Sequence, residues 1–87
     1  MKSPEALYAE ITAKVSQQDS SSSTVELLNK GVHAIGKKLL EEAGESWIAA
    51  EYQSNEELSL ELSQLLYYIV VLAHSRGVTV EEIYQHL

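Results

Sequence analysis

Five residues hold the side chains with most chemical potential in this chain. Glu41, Glu42 and Glu45 stand in Gly-Lys-Lys-Leu-Leu-Glu-Glu-Ala-Gly-Glu, residues 36–45, and Glu61 and Gln64 in Leu-Glu-Leu-Ser-Gln-Leu-Leu-Tyr-Tyr, residues 60–68. On a helix turning ~100° per residue, the first three share an arc of roughly 100°. Glu61 and Gln64 lie one turn apart on one side of a second helix. If the two helices pack antiparallel, four carboxylates and one amide converge. Hard cations take oxygen ligands, and Mg²⁺ bridges carboxylates to substrate phosphates. A glutamate-bearing helix face alone is usually a solvated surface. The second cluster, beside an apolar stretch, turns the reading toward metal-dependent phosphate chemistry.

These clusters require long helices, and the pattern supplies them. Ser3-Pro4 is a helix start, because proline suits the first helical position, and Leu7, Ile11 and Val15 form its apolar stripe. Residues 18–23 are polar and serine-rich and read as a linker. Ser23-Thr24-Val25-Glu26 has the form of a capping box. The helical pattern then runs to about Tyr52, with Gly31, Gly36 and Gly44 inside it, and a break is expected near Gly31. In the long helix after that break, Ile35, Leu39, Leu40, Ala43 and Trp47 are expected on the core side, with Lys38 and the glutamates opposite. Ser54-Asn55-Glu56-Glu57 reads as a second capping box, opening a helix that runs to Arg76 and is capped by Gly77. Its first half is amphipathic through Leu58, Leu62, Leu65, Leu66 and Ile69. Its second half, Leu65 to Ala73, is apolar almost all round and needs partners on every side. Tyr67 and Tyr68 accordingly read as core or dimer-interface residues. Thr79-Val80-Glu81-Glu82 is a third capping box, opening a short last helix. The expected fold is all-α, a helix bundle completed by dimerisation, in a single domain of residues 1–87.

Composition narrows the function. The chain has 87 residues, a net charge of -7, six Lys+Arg and no cysteine. The lack of cysteine excludes a disulfide framework and thiolate metal sites. Six scattered basic residues make no stripe for nucleic acid. The apolar run Leu65 to Ala73 is far below the ~20 residues that span a bilayer, and no signal-peptide core follows Lys2, so a cytoplasmic protein without membrane or nucleic-acid partners is expected. An acidic surface repels polyphosphate unless a cation neutralises both. His33, His74 and His86 show no metal-ligand spacing; His74 and His86 read as surface or helix-end residues. A carrier domain would need a serine after an aspartate at a helix start, and the sole aspartate, Asp19, lies in the linker.

The pattern Glu41-Glu42-x-x-Glu45, a helix-to-helix spacer, then Glu61-x-x-Gln64 resembles the Glu-Glu-x-x-Glu and Glu-x-x-Asp motifs of the all-α, MazG-like nucleoside triphosphate pyrophosphohydrolases. Within that superfamily it most resembles the phosphoribosyl-ATP pyrophosphohydrolases, which act second in histidine biosynthesis. Ser22-Ser23-Thr24 resembles that family's Ser-Tyr-Thr, Gly31 and Ile35 its Gly-x-x-x-Ile, Lys38 its lysine before the glutamates, Leu65-Leu66-Tyr67 the segment after its aspartate, and residues 77–83 its closing Gly-Leu-x-Leu-x-x-Val. The likeness covers roughly residues 22–87. Gln64 stands where the family has aspartate, His33 where it often has lysine, and Ser23 where it often has tyrosine.

The resemblance implies a Mg²⁺-dependent homodimer that hydrolyses the α–β phosphoanhydride of phosphoribosyl-ATP to phosphoribosyl-AMP and pyrophosphate. Glu41, Glu42, Glu45 and Glu61 are then the expected catalytic residues, and Lys38, His33 and Thr24 the substrate-binding ones. Glu42, Glu45 and Glu61 are expected as the main metal ligands, because carboxylates on adjoining turns repel one another unless a cation sits among them. Gln64 offers a weaker, uncharged ligand, and Glu41 binds the cation or orients a water on it. Lys38 is also spaced to pair with Glu41 and Glu42. Two other readings stand beside this one: a pyrophosphohydrolase clearing free (deoxy)nucleoside triphosphates, and a non-catalytic helical dimerisation module, which accounts for the apolar helix but not for the glutamates.

Overall fold

A computed structural model describes residues 1–87 as five helices and no strands: α1 (Pro4–Ser16), α2 (Ser23–Lys30), α3 (Val32–Tyr52), α4 (Asn55–Ser75) and α5 (Val80–Tyr84). Local chemistry sets the boundaries. The Ser3 hydroxyl accepts the Ala6 N–H at 3.1 Å, with Pro4 in the first turn of α1. The cap of α2 sits one residue earlier than the sequence pattern placed it. The Ser22 hydroxyl accepts the Val25 N–H at 3.3 Å, so Glu26 falls past the position that closes a capping box. Neighbouring serines are equivalent caps, and packing chose the register that buries Thr24 and Val25. At α4 the Ser54 hydroxyl accepts the Glu57 N–H and donates to the Glu57 carboxylate, both at 3.1 Å. Only α5 has the full reciprocal box, between Thr79 and Glu82.

Two glycines turn the chain. Gly31 (φ 97°, ψ 178°) ends α2, donating its N–H to the Leu28 carbonyl, and starts α3, its own carbonyl accepting from Ile35 N–H. That conformation is open essentially only to glycine. Gly36 and Gly44, in contrast, are ordinary members of α3. Gly77 (φ 71°) closes α4: its N–H reaches the His74 carbonyl at 3.0 Å and the Val78 N–H reaches the Ala73 carbonyl at 2.9 Å, the paired bonds of a Schellman cap.

Only Gln53 and Ser54 separate α3 from α4, so the two 21-residue helices form an αα-hairpin, with α1 packed on α4 and α2 folded back on α3. The core is Ile11, Ile35, Val70 and Val71, wrapped by Leu7, Tyr8, Leu27, Leu28, Tyr67 and Leu72. His74 is part of the α1–α4 seam and not a plain surface residue: its ring sits 4.8 Å from Tyr8 and its Nε2 3.0 Å from the Thr12 hydroxyl.

The packed side of α3 differs from the one expected. Its buried residues are Ile35, Ser46 and Ala49, with Glu42 half-buried on the same stripe. Leu40 and Trp47, expected in the core, are 74% and 68% exposed. The small side chains of Ser46 and Ala49 let α4 approach closely, which leucine and tryptophan would prevent. On α4 the core residues are Val70, Val71 and Ala73, whereas Leu62, Leu66 and Ile69 remain exposed. By length and hydropathy α4 could cross a membrane; here it packs on α1 and α3.

Ile35 is fully buried at the meeting of three helices, so Ile35→Ala should cost ~2–5 kcal/mol in equilibrium urea unfolding. Gly31→Ala has room for its methyl group but not the backbone angle. It should cost ~1–3 kcal/mol through strain alone, whereas Gly44→Ala should be neutral or stabilising.

Candidate metal and phosphate site

Glu42 lies two helical turns beyond Ile35 and so shares its inward face on α3. Glu45 stands beside it, exposed, and Glu61 faces both from α4. One carboxylate oxygen from each of Glu42, Glu45 and Glu61 lies within 4.8 Å of the others. Glu42 Oε2 and Glu61 Oε2 are buried and have no hydrogen-bond partner. A buried acceptor left without a donor is costly, and a buried carboxylate more so. Desolvation, followed by Glu45 and then Glu61, pushes the Glu42 carboxyl up to about 7. No lysine or arginine pairs with these three.

This donor set fits a hard dication. Oxygens bound to Mg²⁺ lie ~2.1 Å from it, hence no more than ~4.2 Å apart across it, and small rotations of the three side chains reach that span. The two buried oxygens without a donor are where such a cation would compete with the proton that the raised Glu42 carboxyl otherwise takes up.

The other expected residues surround this cluster unequally. Glu41 points to solvent with its carboxylate 3.8 Å from Lys38 Nζ. Gln64 is exposed one turn beyond Glu61. Lys38 lines a cavity of about 370 Å³ with Ser23, Glu26, Leu27, Lys30, Tyr67 and Tyr68. Thr24 is buried, its hydroxyl hydrogen-bonded to that of Tyr67, so it holds a cavity-wall tyrosine in place. His33 is exposed on the first turn of α3 and does not line the cavity.

Sequence reasoning passed over two residues here. Tyr68 faces the carboxylates rather than serving the core: burial, then Glu42, raises its phenol above the usual value, with Tyr67, Glu41 and Glu45 adding to the effect. A signal existed, because Tyr68 follows Glu61 by two turns and so shares its face. Lys30 enters the cavity only because the chain reverses at Gly31, which no linear spacing reveals.

The sequence as a whole points the same way as this geometry. The family described as phosphoribosyl-ATP pyrophosphohydrolase matches residues 5–87. The chain is 49% identical, over the full length of both proteins, to a protein of Bifidobacterium animalis subsp. lactis named phosphoribosyl-ATP pyrophosphatase. It is 48% identical, again end to end, to one of the same name from Bifidobacterium adolescentis. With such likeness running through every helix, including the two that bring the glutamates together, this chain belongs to the phosphoribosyl-ATP pyrophosphohydrolase family.

Proposed function

We propose that this protein hydrolyses the α–β phosphoanhydride of phosphoribosyl-ATP, releasing pyrophosphate and phosphoribosyl-AMP, as a cytoplasmic enzyme of histidine biosynthesis that uses Mg²⁺. The observation that carries the reading is the meeting of Glu42, Glu45 and Glu61, two of them with buried and unpartnered oxygens, in a member of this family. These three residues would hold the cation, with Gln64 near enough along α4 to support a water on it. A bound dication would neutralise charge on the phosphate oxygens and on the departing pyrophosphate. The chain's own groups do the rest. Glu41, in solvent beside the cluster, would bind the cation or orient a water on it. Its partner Lys38 lines the neighbouring cavity and offers a positive charge to the substrate there. The Tyr68 phenol, protonated at neutral pH and pushed further up by burial and then by Glu42, donates a hydrogen bond into the same space. Thr24 fixes Tyr67 and with it the shape of the cavity.

A second copy of the chain completes the fold in this reading. Leu40, Trp47, Ile48 and Tyr52 on α3, and Leu60, Leu62, Leu66 and Ile69 on α4, are exposed. Only 10 of 87 residues are buried, and the radius of gyration of 13.6 Å exceeds the ~12 Å of a compact domain of this length. Large apolar faces of this kind are normally covered by a partner.

A pyrophosphate-release assay over phosphoribosyl-ATP and free nucleotides tests the substrate: turnover of free nucleotides with none of phosphoribosyl-ATP overturns it. Glu42→Gln, Glu45→Gln and Glu61→Gln should each lower turnover by at least about a hundredfold, the scale of losing one electrostatic element of an active site, with helicity retained. Near-normal rates and metal dependence would make them surface residues. Gln64→Asp should shift the Mg²⁺ titration to lower concentration.

The Glu42 carboxyl sits at about 7 when folded and near 4.5 when unfolded, so the metal-free fold binds the extra proton. That contribution is complete below about pH 4.5 and is lost as pH rises through about 7. Thermal unfolding of metal-stripped protein should show Tm falling over this window. Glu42→Gln should flatten the fall, and Mg²⁺ should raise Tm most on its alkaline side.

Light scattering should return twice the 9.7 kDa chain mass. Trp47→Glu combined with Leu66→Glu should return the single-chain mass, and a folded wild-type monomer would contradict the dimer.

A further inference from the structure

The chain holds six basic side chains against 13 acidic ones, and their placement is uneven. Lys2 and Lys14 both engage Glu10 on α1. Lys30 and Lys38, from different helices and eight residues apart, line one cavity. They meet there because Gly31 turns α2 back onto α3. The cavity volume, about 370 Å³, is within the ~300–1,000 Å³ typical of small-molecule pockets. Leu27 and the Tyr67 ring offer it apolar and aromatic wall, and Ser23 a hydroxyl. Tyr68 belongs both to this wall and to the surroundings of Glu42, Glu41 and Glu45, so the two regions adjoin: one presents carboxylates, the other two lysines against the single carboxylate of Glu26, a net positive wall suited to an anion.

Each lysine has a carboxylate placeholder. Lys30 Nζ is 3.6 Å from Glu26 and Lys38 Nζ 3.8 Å from Glu41, all largely exposed. Such surface pairs contribute ~0–1 kcal/mol and yield to a ligand of higher charge. A phosphate monoester carries about -1.5 to -2 at neutral pH, and lysine binds it as a point charge. Phosphoribosyl-ATP differs from a free nucleoside triphosphate in having a ribose monophosphate on the base. The triphosphate is cleaved at the carboxylates; the second, distant phosphate needs a cationic site of its own.

We infer that Lys30, with Lys38, binds the phosphate monoester of the ribosyl group and makes the enzyme select phosphoribosyl-ATP over free nucleoside triphosphates. This rests on the proposed substrate, and the test separates the two. If wild type turns over phosphoribosyl-ATP, Lys30→Ala should raise KM about tenfold, the loss of roughly one charge-assisted hydrogen bond, and lower kcat far less. Lys30→Arg should restore KM. Lys37→Ala, which removes an exposed lysine outside the cavity, should leave KM within about twofold of wild type, the range of a surface change. An unchanged KM in Lys30→Ala, or an equal rise in Lys37→Ala, overturns the inference while leaving the substrate in place. A second measurement does not depend on turnover. Ribose 5-phosphate titrated into isotope-labelled protein should shift the amide resonances of Lys30, Lys38 and Tyr67 saturably, and Lys30→Ala should abolish saturation. Absence of saturable shifts in the wild type overturns the inference whatever substrate the enzyme hydrolyses.

Discussion

Glu42 and Glu61 approach each other across the seam between α3 and α4, each with one oxygen buried and without a donor. Like charges in a partly desolvated seam repel, and nothing basic in the chain offsets them there. The hairpin must therefore be held by something else: the core of Ile11, Ile35, Val70 and Val71, at the α1 and α2 side of the two long helices. Apolar burial near one end of the hairpin fixes the positions of carboxylates along it. Stability is given up at the seam and regained in the core, the usual division between a functional site and its scaffold. Gln64, uncharged and exposed, adds no further repulsion to a cluster that already keeps the Glu42 carboxyl close to neutrality.

The same seam explains why the apolar side chains of α3 and α4 face the way they do. Close approach of the two helices is possible at Ser46 and Ala49, and this choice rotates Leu40 and Trp47 out of the interior. A helix of 21 residues with apolar groups on two faces can satisfy only one of them within so short a chain. Burial of the smaller face and exposure of the larger is what a bundle built from two copies requires, and the proposed dimer follows from that rotation.

Charge is distributed with comparable economy. Most acidic residues are solvated or serve helix starts, as Glu57 and Glu82 do. Two of the few lysines are brought to one cavity beside the glutamate cluster by a single residue, Gly31, whose backbone conformation other residues resist. The Thr24–Tyr67 hydroxyl pair then fixes α2 against α4 at that cavity. The division into a carboxylate cluster and a lysine-lined cavity is thus a property of how three helices cross, not of any one segment.

Much of this was legible in the linear chain. Serine, threonine and proline at helix starts, with glycine at 31 and 77, located the start of every helix to within a residue, because capping depends on nearest neighbours; α5 stops at Tyr84, short of the C-terminus. The glutamate spacing pointed to the family and brought together Glu42, Glu45 and Glu61, because period and face are local properties of a helix, but it also counted Glu41 and Gln64, which stand exposed outside that cluster. Which face of α3 turns inward was not legible: hydrophobic periodicity favoured the leucine and tryptophan side, and only the packing of α4 against small residues reversed it. Lys30 was likewise invisible as a site residue, because its neighbours arrive through a chain reversal; Tyr68 carried a signal, its two-turn spacing from Glu61, which an apolar surrounding sequence masked. The chain by itself determined the helices and the positions of the carboxylates along them. Tertiary structure decided which carboxylate oxygens are buried without partners and which lysines share a cavity, since desolvation and charge proximity depend on distances between helices.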